Sequence, residues 1–165
     1  MRKFTKSLFV VLMVMVLLLS FMFAIQAKKA TVNRFNVVFV MDTSGSMDYS
    51  DNEENRFEAT DLFLAMLANQ GNNVGLVTFS DSIKSNNVVA VDSIENKMAI
   101  SKNIRERKSA GDTDIGGALL KATDMLKSMK SDLPSIIILL SDGNTDLKTE
   151  DMMATSKANK ESALE

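Results

Sequence analysis

Two kinds of apolar pattern alternate along the chain. Short runs without polar interruption occupy 36–41 (Asn-Val-Val-Phe-Val-Met), Val74 to Phe79 and 135–140 (Ser-Ile-Ile-Ile-Leu-Leu), with a shorter run from Val88 to Val91. Such runs fit strands covered on both faces, as in a parallel sheet flanked by helices, and the shortest is expected nearer an edge. Between them the period becomes helical. From Phe57 to Ala68 the residues Ala59, Leu62, Phe63, Met66 and Leu67 recur on one helical face. From Asp114 to Lys130 the set Ile115, Ala118, Leu119, Ala122, Leu126 and Met129 does the same. Glu95 to Lys108 is more charged, with Met98 and Ile104 as its apolar positions. Residues 150–165 are helical by propensity, with Met152, Met153 and Leu164 as candidate contacts. Gly71 and Gly111 stand where a helix stops or a loop turns.

Strands alternating with helices predict an α/β fold, an open, mainly parallel, doubly wound sheet with helices on both faces. Ligands of such sheets bind beyond the carboxyl ends of the strands, where strand order reverses. The segments just after each strand are therefore where chemistry is expected.

The first 27 residues differ in kind. Arg2, Lys3 and Lys6 precede an apolar stretch from Leu8 to Ile25 interrupted only by Ser20, and Ile25-Gln26-Ala27 follows before Lys28 and Lys29. This is the layout of a secretory signal, with cleavage expected after Ala27; an 18-residue apolar run also suffices for an uncleaved signal anchor. On either reading the chain after residue 28 is extracytoplasmic, secreted or held at the cell surface, because the larger positive charge precedes the apolar run. Any membrane contact is expected only through an uncleaved leader. A linker over 28–34 and one domain over 35–165 complete the expected organisation.

Composition then narrows the chemistry. The 165 residues are 45% hydrophobic and 24% charged, an ordinary balance for one globular domain. Removing the leader leaves 16 basic against 21 acidic residues, a net charge of −5. A mildly acidic exported domain has no electrostatic case for nucleic acid. The chain has no Cys and no His. Disulfides, thiolates and imidazole are excluded, and with them the commonest general base and the commonest soft-metal ligand, so any bound metal is expected to be held by oxygen.

Oxygen ligands cluster after the predicted strands. Asp42-Thr43-Ser44-Gly45-Ser46-Met47 follows the first, and Ser141-Asp142-Gly143 follows the run at 135–140. Gly111-Asp112-Thr113-Asp114-Ile115-Gly116-Gly117 opens the best-patterned helix. Alternate positions 42, 44 and 46 can turn their oxygens toward one point, with Gly45 relieving crowding. Carboxylates and hydroxyls suit a hard divalent cation such as Mg²⁺, Mn²⁺ or Ca²⁺.

Asp42-x-Ser44-x-Ser46, Thr113 within Gly-Asp-Thr-Asp and Asp142 within Ser-Asp-Gly together resemble the metal-ion-dependent adhesion site of von Willebrand factor type A domains. Val-Gly-Leu-Val-Thr-Phe-Ser at 74–80 also resembles that family's second strand. The resemblance implies a Rossmann-like fold and direct metal binding by Ser44 and Ser46. It implies that Thr113 binds directly or through water, that Asp42 and Asp142 act mainly through bound water, and that Asp114 lies behind them. It implies a cation with an open position for an Asp or Glu carboxylate of a protein partner. Family domains continue with one or two further parallel strands and a last helix. The domain over 35–165 is therefore expected to be C-terminally incomplete, lacking those strands, with the strand at 135–140 left as an uncovered apolar edge unless something else covers it.

Other readings of the same residues exist. Asp42 to Ser46 also suits a simple turn. An EF-hand loop finds Asp48 and Glu53 at its seventh and twelfth positions, but Met47 stands at the sixth and a strand precedes the loop. Thr113-Asp114 suits a helix cap, which is compatible with metal binding. Gly116 and Gly117 suit close helix–sheet packing. Lys102 to Lys108 reads as a solvated helix face before a basic docking patch, and Tyr49 as a surface residue beside the site. The leading expectation is a binding module without enzymatic activity. The alternatives are a metal-assisted phosphohydrolase using Asp42, of the haloacid dehalogenase kind, and a structural surface-assembly component with an idle metal site. The phosphohydrolase needs a second Asp at position 44, where this chain has Ser, and no other proton carrier is evident.

Overall fold

The computed structural model describes Met13, Met15, 33–106 and 108–164. The expected leader and its cleavage site lie outside the described residues except for Met13 and Met15, as does most of the 28–34 linker. The chain divides into two units, Met1–Val32 and Asn33–Glu165, and the second carries the fold. Among the described residues no helix is long and apolar enough to cross a membrane.

Strand β1, Asn36–Asp42, is the centre of the sheet, and all seven of its residues are buried. On one side it pairs in parallel with β2, Asn72–Phe79, and on the other with β5, Ser135–Leu140. Two short antiparallel strands border β2: β3, Ile83–Ser85, along its last residues and β4, Val89–Val91, along its first. The sheet order β3-β2-β1-β5 puts the second strand on one side of the first and the last on the other. Strand order therefore reverses at β1, and the carboxyl ends of β1 and β5 flank the crevice where an open α/β sheet takes its ligand.

Alternation along β1 divides the core. Val37, Phe39 and Met41 join Phe57, Leu64, Leu67, Ile100 and Ile104 on one face. Val38 and Val40 join Val77, Phe79, Ile115, Ala118, Ala122 and Met125 on the other. The first layer is α2, Asn55–Met66, with α3, Ile94–Arg105. The second is α4, Ile115–Ser128, against which α5, Glu150–Leu164, packs. Burial on both faces is why β1 reads as an uninterrupted apolar run. Each fully buried large side chain contributes about 1.5–3 kcal/mol.

The expected open, mainly parallel, doubly wound α/β sheet is present, and 135–140 is a strand along its whole expected length. Some finer expectations fail. The buried face of α2 is Arg56, Phe57, Thr60 and Leu64, whereas Leu62 and Met66 are 66% and 75% exposed. Within this face Arg56 is held by hydrogen bonds: its Nη1 bonds the Asp51 carboxylate at 2.7 Å and its Nη2 bonds Ser109. Thr60 becomes tolerable in the core by donating its hydroxyl to the Arg56 carbonyl at 2.8 Å. In α3 the inward residues are Lys97, Ile100 and Ile104, and Met98 faces solvent. Buried Lys97 donates to the Leu67 carbonyl at the end of α2, where helix geometry leaves carbonyls unpaired. Met152, Met153 and Leu164 of α5 remain exposed because that helix rests on α4. β5 pairs only with β1 among the described residues, and its side chains are at most half-buried.

Candidate metal centre

β1 delivers Asp42, fully buried, to the carboxyl end of the sheet. The ladder to β2 continues one residue further, for both the amide and the hydroxyl of Thr43 donate to the Phe79 carbonyl, at 2.8 and 2.9 Å. The chain then turns away. Ser44 N donates to Asp42 Oδ1 at 2.8 Å, an Asx-type turn in which the carboxylate replaces a backbone acceptor. This turn brings Ser44 Oγ to 3.1 Å from Ser46 Oγ. A one-turn helix, α1, Met47–Ser50, follows and anchors the loop through buried Met47.

The same loop is tied to the segment before α4. Ala110 N donates to Thr43 O at 2.8 Å and Gly45 N to Gly111 O at 3.0 Å. A Cβ at Gly45 would meet Gly111 O only at 3.6 Å, an ordinary contact, so the expected relief of crowding does not fall there. It falls at Gly111, whose φ of +86° is left-handed and whose added Cβ would lie 2.9 Å from Asp81 Cγ. Two residues later Thr113 is buried, and its N–H and C=O both pair with Asp146, at 2.7 and 3.0 Å. Asp114 N donates to Ser80 O at 3.0 Å, beyond the end of β2.

The parallel register sets Met41 beside Leu140, which places the residues after β5 next to Asp42. Ser141 donates its hydroxyl to Asp42 Oδ2 at 2.6 Å. Asp142 is reached from the other side: Ser50 Oγ lies within bonding distance of both Asp142 Oδ2 and the Ser46 carbonyl. Its single proton serves one acceptor at a time. Asp42, Ser44 and Ser46 thus form one bonded group and Asp142 is reached through Ser50, whereas Thr113 lies two residues beyond the 110–111 segment bonded to that loop and is tied by its backbone to Asp146. Ser46 and Asp142 are exposed while Asp42, Ser44 and Thr113 are buried, so the group opens to solvent on one side.

The electrostatics are unbalanced. Among the described residues no lysine or arginine lies within ion-pair distance of Asp42. A fully buried carboxylate without a counter-charge costs several kcal/mol unless hydrogen bonds or a cation offset it. Its two hydrogen bonds leave a lone pair free on each oxygen. Nearby, Asp112 Oδ2 is buried without a hydrogen bond, and Lys148 Nζ stands 3.7 Å away, beyond hydrogen-bond reach. By contrast Asp51, between α1 and α2, is well matched. Burial pushes its carboxyl up, but Arg56, through its side chain and backbone N–H, and the Asn55 N–H outweigh this and hold it below the usual carboxylate range.

The residues missed in the sequence are Ser50, Ser141 and Asp146. Ser141 was legible in part, as the neighbour of Asp142 after a strand, but its bond to Asp42 follows from strand register. Nothing in the sequence signals Ser50. Asp114 caps α4 by accepting from Gly117 N at 2.9 Å, as expected of a cap. Gly116 serves packing, but against α5 rather than the sheet: an added Cβ would fall 1.6 Å from the Ser156 carbonyl oxygen. Tyr49 is 87% exposed beside the site.

Residues 37–144 match the family model described as von Willebrand factor type A domain. The chain is 31% identical over 108 residues to the calcium-activated chloride channel regulator 3A-1 of Mus musculus, covering 65% of this chain and 12% of that protein. The pilus adhesin SpaC of Lactobacillus rhamnosus GG superimposes with a TM-score of 0.58 at 25% identity, over 70% of this chain and 16% of that one. Proximal thread matrix protein 1 from the mussel byssus, solved with a zinc-occupied MIDAS motif, superimposes with a TM-score of 0.58 at 22% identity. That match covers 78% of this chain and 36% of the byssus protein. The chain spans about an eighth of the length of the curated relatives it matches.

Proposed function

We propose, from the premise that this chain belongs to the von Willebrand factor type A domain family, that it is an exported binding module which captures an acidic side chain of a protein partner through a divalent cation. The cation would be held by Asp42, Ser44, Ser46, Thr113 and Asp142. The observation that carries this reading is the buried Asp42 carboxylate, without a cationic side chain among the described residues, beside the paired hydroxyls of Ser44 and Ser46.

The donor set fits the ion. Neighbouring ligands of an octahedral cation bound at about 2.1 Å lie about 3 Å apart, and the two serine hydroxyls are 3.1 Å apart. That spacing admits Mg²⁺, Mn²⁺ or Ca²⁺. Two carboxylates, Asp42 and Asp142, balance the ion's charge, and the remaining donors are neutral hydroxyls. Bound there, the cation supplies an electron-poor centre with affinity for a further carboxylate. Exposed Ser46 and Asp142 mark the side from which that carboxylate enters. The domain is assigned to 35–165, the leader to 1–27, and the site to the outside of the cell. A pilus adhesin and a byssus matrix protein among the similar structures support an adhesive, extracellular role.

A phosphohydrolase has less support. Asp42 is fully buried with a hydrogen bond on each oxygen, a poor nucleophile, and Ser44 occupies the place of the required acid. Titration calorimetry with MgCl₂ and MnCl₂ tests the reading. Wild-type protein should bind one ion and Asp42→Ala none; equal affinity in the two proteins would refute the site. Capture of a partner that persists in a chelator would favour a structural component whose metal is idle.

A further inference from the structure

Helix α5 is seated by polar contacts. Among its described residues only Ser156 is fully buried, whereas Met152, Met153 and Leu164 are 41%, 39% and 75% exposed. The Ser156 hydroxyl accepts from Gly116 N at 3.0 Å and donates to Asp114 Oδ1 at 2.5 Å. It thereby joins the cap of α4, in which Asp114 already accepts from Gly117 N. The two helix backbones approach closely enough that only glycine fits at 116. A second contact at the far end, Thr123 Oγ1 to the Ala163 carbonyl at 3.3 Å, is longer.

These bonds end on the residues that flank Thr113. Two consecutive positions are bonded to the stretch that follows Asp142: Thr113 pairs by backbone with Asp146 and Asp114 accepts from Ser156, with Lys148 in longer-range contact with Asp112. The stretch that supplies Asp142 thus also fixes the loop that supplies Thr113. A helix docked with little apolar burial has a small free energy of seating, so its docked population is sensitive to what happens at the loop.

We propose that Ser156 is a positioning residue for the metal centre, and that docking of α5 on Gly116 and metal binding are thermodynamically coupled. The docked helix holds 112–114 where Thr113 completes the donor set. By reciprocity, an ion that binds only the completed set strengthens the docking of α5 by the same factor. This inference rests on the metal-binding reading above.

Two measurements on the full chain test it. In wild-type protein, saturating Mg²⁺ should slow amide exchange across 112–116 and across α5, followed by mass spectrometry. In Gly116→Ala the added methyl should release α5, seen as rapid exchange over 150–164, and lower Mg²⁺ affinity about tenfold, the usual cost of losing support behind a metal ligand. Ser156→Ala, which removes both hydrogen bonds of that hydroxyl without a steric clash, should lower it at least about fivefold. Absence of Mg²⁺ binding by the wild-type chain removes the metal reading, and this inference with it. Mg²⁺ binding with α5 exchange unaltered, or wild-type affinity in Gly116→Ala with α5 released, overturns the coupling alone. If Gly116→Ala does not fold, the wild-type exchange experiment decides.

Discussion

The hydroxyl of Ser141 donates to Oδ2 of Asp42 at 2.6 Å, joining the ends of two neighbouring parallel strands that lie 99 residues apart in sequence. With Ser44 N on Oδ1, this bond orients the buried carboxylate. Ser141→Ala leaves Oδ2 without its protein donor. Mg²⁺ affinity should fall about tenfold, read by calorimetry, while the far-ultraviolet circular dichroism spectrum stays that of the wild type. An unchanged dissociation constant would mean that the bond braces the strand ends and nothing more.

Metal binding should also appear as stability. An ion that binds only the folded chain adds about 2.7 kcal/mol at 100 times its dissociation constant. For a domain of this size that raises Tm by roughly 5–10 °C. Differential scanning fluorimetry should show the rise with MgCl₂ and its reversal by EDTA. Ser44→Ala and Ser46→Ala should lose most of it, and a variant that keeps the full rise is not a ligand variant.

Asp51 makes a pH prediction of definite sign. Its carboxyl is held below the ordinary value of 3.8 in the folded chain, burial being outweighed by the hydrogen bonds from Arg56 and Asn55. Its contribution to stability is therefore complete above that ordinary value and is lost as pH falls through the lower, folded value. Asp51→Asn should be less stable than wild type at pH 7, and the gap in Tm should narrow on acidification below pH 3.8. A gap that widens toward acid pH contradicts this account.

The core makes a prediction independent of metal. Phe39 is fully buried and meets Phe63 edge to face, with ring centroids 5.7 Å apart. Phe39→Ala should cost about 3–5 kcal/mol in urea unfolding, in the presence of EDTA as in its absence. A cost under about 1 kcal/mol would mean that the layer between β1 and α2 collapses around the gap.

Legibility in the sequence follows burial. β1 and β2 read as apolar runs because helices flank the sheet there and no polar face interrupts them, while β5 reads the same way although its residues are half-buried or exposed. The face of α4 was legible at Ile115, Ala118 and Ala122, where a single stripe meets the sheet, although Met125 was not among the expected residues. The face of α2 was legible only at Phe63 and Leu67, because two stripes compete there. Leu62 and Met66 look apolar enough for the core, but the inward face is Phe57, Thr60 and Leu64 with Arg56, a charged residue that its ion pair with Asp51 lets be buried there. The short β3 and α1 gave no periodic signal, since three or four residues hold less than one full repeat of any pattern.

From residue types and their order alone came the alternation of strand and helix, the absence of any imidazole or thiolate, and three oxygen-bearing segments set just after strands. Those properties are local, and a run of side chains carries them wherever the chain goes. Tertiary structure alone decided which side of β1 each neighbour occupies, that Ser141 reaches Asp42, that Ser50 links Ser46 to Asp142, and that α5 rests on Gly116 through Ser156. Each of these depends on strand register or on the crossing of two helices, distances between residues tens of positions apart, for which the chain has no local code.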